Sequence, residues 1–107
     1  MNLEQIAEIG IDSKQRLYVK PQTRSFPFIY REAMEIHWEN EGEYLFAPEP
    51  PRGDLWPPER WFEQILHAAR LQSVELVVTG STRWINIPDA LREKLMAIAD
   101  PNTRRLT

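Results

Sequence analysis

Pro57-Pro58-Glu59-Arg60-Trp61-Phe62-Glu63-Gln64-Ile65-Leu66-His67-Ala68-Ala69-Arg70-Leu71-Gln72, followed after Ser73 by Val74-Glu75-Leu76-Val77-Val78-Thr79, is the stretch that decides the fold. Proline suits the first turn of a helix, where its missing N–H forfeits no bond, and Glu59 complements the positive end of the helix dipole. Trp61, Phe62, Ile65, Leu66 and Ala69 recur at helical spacing and make one apolar stripe, which predicts a helix over about 57–72. A one-sided helix needs an apolar surface to lie on. The β-branched run Val74–Thr79 supplies one and reads as a central, buried strand.

Outward from this pair the chain alternates between turn formers and short strand patterns. Downstream, Gly80-Ser81 breaks the strand, Thr82–Ile87 offers one more, and Pro88-Asp89 opens a second helix over about 88–99 with Leu91, Leu95 and Ile98 on one side. Pro101 ends it, and a frayed tail is expected from about 102. Upstream, residues 48–58 hold five prolines and form a stiff surface loop. Farther back, Ile6–Ile11 and Arg16–Lys20 flank the turn former Asp12-Ser13-Lys14-Gln15, a hairpin that Pro21 should stop because it has no N–H to donate. After a loop over 21–27 and a helical turn near Phe28, Met34, Ile36 and Trp38 alternate with Glu35, His37 and Glu39 as a strand would. Asn40-Glu41-Gly42-Glu43 is the next turn, with Gly42 suited to positive φ, and Tyr44-Leu45-Phe46 returns. The sum is an α+β fold: a small antiparallel or mixed sheet of about four or five strands, packed on one face by two helices.

Composition bounds the rest. A chain of 107 residues supports one domain and one core, so 1–107 is read as a single α+β domain. Four Trp, three Tyr and four Phe are enough rings to dominate that core. The net charge of −3 and scattered basic residues disfavour a phosphate backbone as partner. With no cysteine, thiolate nucleophiles, disulfides and cysteine-ligated metals are excluded. The acidic start Met1-Asn2-Leu3-Glu4-Gln5 and the lack of a ~20-residue apolar run predict a cytoplasmic protein with no membrane segment.

Candidate site residues are few. Glu35, His37 and Glu39 at strand spacing would project from one face, where two carboxylates beside an imidazole can tune a proton acceptor; a plain solvated sheet face is the competing reading. His37 and Glu35 are thus the catalytic candidates. Trp56 in the proline loop, flanked by Arg52 and Arg60, and Tyr30 are the binding candidates, since Trp, Tyr and Arg are enriched at contact surfaces. His67 reads as a helix-surface residue. Glu41 and Glu43 lack the spacing of a calcium loop, so no metal site is predicted. No nucleophile elbow, Walker loop or dinucleotide fingerprint occurs, and no cofactor is expected.

Leu17-Tyr18-Val19-Lys20-Pro21, Phe26-Pro27-Phe28-Ile29-Tyr30-Arg31-Glu32-Ala33-Met34-Glu35-Ile36-His37-Trp38 and Trp61-Phe62-Glu63-Gln64-Ile65 together resemble a group of small bacterial proteins associated with integron gene cassettes. The likeness spans roughly Gly10 to Ile98 and rests on packing and turn residues, so it carries over no functional residue. It implies a small, soluble, stand-alone protein, often self-associating and sometimes holding a ligand pocket. The surplus of Trp, the proline-stiffened loop and the lack of any nucleophile or cofactor signature make the expectation a non-catalytic binding or interaction module that forms homo-oligomers, with a protein or a small molecule as further partner. The alternative is a small acid–base enzyme or small-molecule-binding protein with a pocket near His37 and Trp56.

Overall fold

The computed structural model describes residues 2–49 and 56–99. Strand β1 (Asn2–Ile11) runs antiparallel to β2 (Leu17–Pro21), and a 3-10 turn (Ile29–Arg31) leads to β3 (His37–Glu39) and β4 (Tyr44–Phe46). Helix α1 (Pro58–Leu71) is followed by β5 (Val74–Val77), β6 (Arg83–Ile85) and α2 (Asp89–Ala99). The fold is α+β, as its sequence implied. Its six strands form one mixed sheet in the order β3-β4-β2-β1-β5, with β6 also paired to β1. The N-terminal half of β1 pairs in parallel with β5 and its C-terminal half in parallel with β6, so two strands share one edge of β1.

The apolar stripe of α1 buries Trp61, Phe62, Ile65, Leu66, Ala68 and Ala69. These pack with Ile6, Ile9, Leu17, Val19, Leu45, Val74 and Leu76 from the sheet and with Leu95 and Ala99 from α2. Both helices therefore lie on one face. Phe26, Ile29, Ala33 and Ile36 complete the same cluster from the segment before β3.

Four local readings are corrected. The strand expected over 34–38 begins only at His37: Met34 and Glu35 lie in a turn after the 3-10 segment, with Met34 86% exposed. Its apolar alternation is met instead by Ile36, fully buried, with Ile36 N–H bonded to the Ala33 carbonyl. Pro21 ends β2 from inside it, paired with Ile6 and buried, which costs the ladder nothing at a last position. Val74–Val77 is an edge of the sheet beside β1, not its centre, although its Val74 and Leu76 side chains are buried against the α1 cluster. In the 40–43 turn the positive φ falls on Glu43 (57°) and not on Gly42, whose missing Cβ leaves room for the Tyr44 ring. The expected tail from about 102 lies outside the described residues.

A bulge sets which way β1 faces. Ile6 pairs with Pro21 and Glu8 with Lys20, so Ala7 is the extra residue. The phase of the strand changes there: Ile6 and Ile9 both point into the core, and Glu8 and Gly10 are turned to the opposite face.

Candidate functional site

The face of the sheet away from the helices is where side chains of functional type collect. The register fixes one row across it: His37 opposite Phe46, Phe46 opposite Tyr18, Tyr18 opposite Gly10 and Gly10 opposite Ile85. Two residues along, a second row holds Glu39 opposite Tyr44, Lys20 opposite Glu8 and Glu8 opposite Arg83. Strand side chains alternate between faces, so both rows project away from Leu45, Val19 and Ile9.

Contacts within this face are specific. The His37 and Phe46 rings lie 5.2 Å apart, Phe46 and Tyr44 5.9 Å, and Tyr44 and Tyr18 5.2 Å. The Arg16 guanidinium sits 4.3 Å above Phe46, held by a 2.8 Å bond from its Nε to Asp12. The Tyr18 hydroxyl donates to Glu8 Oε2 at 2.6 Å, and Glu8 Oε1 accepts from Arg83 at 2.9 Å. Gly10 makes the arrangement possible: a Cβ there would lie 2.5 Å from the Tyr18 hydroxyl oxygen, so the ring rests on bare backbone. Tyr18 is 9% exposed yet stands outside the core cluster, because its own face covers it. Burial first, and then the bond and the negative charge of Glu8, push the Tyr18 hydroxyl far above its ordinary value of 10.0. It is a neutral donor at every physiological pH, not a base.

The sequence candidates are dispersed. His37 is exposed on β3, and among the described residues no carboxylate lies within ion-pair reach of it. Glu35 sits in the preceding turn, so the three-residue alternation that linked it to His37 is not present. Glu39 accepts the Glu41 N–H at 3.2 Å. Trp56 is half-buried against the core cluster, 4.6 Å from Trp61 and with Arg60 4.8 Å over its ring. His37 and Trp56 thus belong to opposite sides of the sheet. Tyr30 is 50% exposed, edge-on to Phe28 and near Arg31. His67 is exposed on α1, and Arg52 lies outside the described residues. Among the described residues no three His, Asp or Glu side chains gather as a metal site.

Sequence reasoning missed Tyr18, Tyr44, Phe46, Gly10, Arg16 and Arg83. A signal was present. In Leu17-Tyr18-Val19 and Tyr44-Leu45-Phe46 the residues alternate, so once Leu17, Val19 and Leu45 face the helices, three rings must face away from them.

An open six-stranded sheet, with helices on one side and a ring-and-charge face that no described element covers on the other, defines a small α+β protein. Residues 4–82 match the family described as Integron Cassette Protein Hfx_Cass5, and the chain belongs to that family. A solved structure of the Hfx_Cass5 integron cassette protein, from the mobile metagenome of the North West Arm sewage outfall, is 41% identical. The alignment covers 92% of this chain and 97% of that one, with a TM-score of 0.46. Comparison with curated proteins gives no match. No helix among the described residues is long and apolar enough to cross a membrane.

Proposed function

We propose that this chain is a non-catalytic interaction module that self-associates, and that its outer sheet face is the contact surface. The observation that carries this reading is the ring cluster of His37, Phe46 and Tyr44, with Tyr18 buried beside it, on the sheet face away from both helices. Rings on β3, β4 and β2 beside Arg16, Lys20, Glu8 and Arg83 give the mixture of aromatic, arginine and polar groups that protein contacts favour. The rings are also held in place before any partner arrives. Arg16 clamps Phe46 and Glu8 clamps Tyr18, so little side-chain freedom remains to be lost on association.

The acid–base alternative has less support, since His37 is exposed, without a carboxylate beside it, and across the sheet from Trp56. Sedimentation over a wide concentration range tests the proposal. The wild type is expected to move from monomer to oligomer as concentration rises, with a thermal midpoint that rises in parallel. Phe46→Ser should remain folded and shift the equilibrium to monomer. A wild type that stays monomeric throughout would overturn self-association.

A further inference from the structure

We draw no further inference here: the strongest candidate, the exposed surface patch of Phe28, Tyr30 and Met34 around the 3-10 turn, with Arg31 stacked over Phe28, has nothing in the structure to show what covers it.

Discussion

Glu4 is only 5% exposed, and a carboxylate so enclosed survives only if its oxygens are fully occupied. They are: Oε2 accepts the Thr23 N–H at 2.6 Å and the Arg24 N–H at 3.1 Å, and Oε1 accepts the Thr23 hydroxyl at 2.9 Å. Burial alone would raise the Glu4 carboxyl; the bonds from Thr23 and Arg24, with the nearby Arg24 charge, outweigh it and hold the group below its ordinary value. This one side chain ties the loop after β2 back to β1. Glu4→Gln turns an amide N–H₂ toward donors that need an acceptor, and should destabilise the fold by about 1–3 kcal/mol in urea titration. Glu49, paired to Lys14 at 3.8 Å with both side chains more than half exposed, is the control: Glu49→Gln should shift stability by less than about 0.5 kcal/mol. Equal effects from the two substitutions would remove the special role of Glu4.

At the scale of elements, the β1–β2 hairpin depends on a residue that is not there. Gly10 lacks the Cβ that would strike Tyr18, and Tyr18 has nowhere to go because Glu8 and Tyr44 hold it from two sides. Gly10→Ala should therefore cost about 1–3 kcal/mol, since the ring must leave its bond to Glu8 or the strands must part. Denaturant unfolding checks the size, and loss of the Tyr18 effect in a Gly10→Ala, Tyr18→Ser pair checks the cause. The same elements show what a sequence can and cannot disclose. Helix α1 was legible nearly to the residue because its prolines, Glu59 and five-residue stripe all point the same way. The hairpin turn was legible from Asp12, whose carboxylate accepts the Lys14 and Arg16 N–H groups at 2.9 Å each. Residues 2–5 were not read as strand. Leu3 faces solvent, Glu4 faces inward, and the bulge at Ala7 shifts the phase, so the pattern breaks where the strand continues. The Met34–Trp38 alternation misled in the opposite direction, because Met34 and Glu35 satisfy the strand period while folding as a turn. The candidate site suffered most: which face of β2 and β4 is covered depends on where α1 docks, and that is a long-range fact.

For the whole molecule, titratable groups that are buried or partly buried close the stability window at both ends. Glu4 and Asp12 are held below their ordinary values of 4.5 and 3.8 once folded; for Asp12, burial raises the carboxyl, but the bonds from Arg16 and Lys14 and the Arg16 charge outweigh it. A lowered folded pKa means the unfolded chain binds protons first as pH falls, so their contribution is complete above the ordinary carboxylate range and is lost as pH drops through the folded values. Tyr18 is the reverse case. Its folded pKa lies above the ordinary 10.0, so its contribution is complete below pH 10.0 and declines as the unfolded chain releases the phenolic proton that the folded chain retains. The urea midpoint against pH should thus be flat between an acid limb beginning near the carboxylate range and an alkaline limb beginning near pH 10.0. The two limbs have separate owners. Tyr18→Phe lowers stability everywhere, because Glu8 Oε2 loses its donor, but it should flatten the alkaline limb and leave the acid limb's slope unchanged. Glu4→Gln should make the acid limb shallower and leave the alkaline one as it was. An alkaline limb of undiminished slope in Tyr18→Phe would mean that the Tyr18 hydroxyl, and with it the tight packing of the outer face over Gly10, does not govern the fold's response to base.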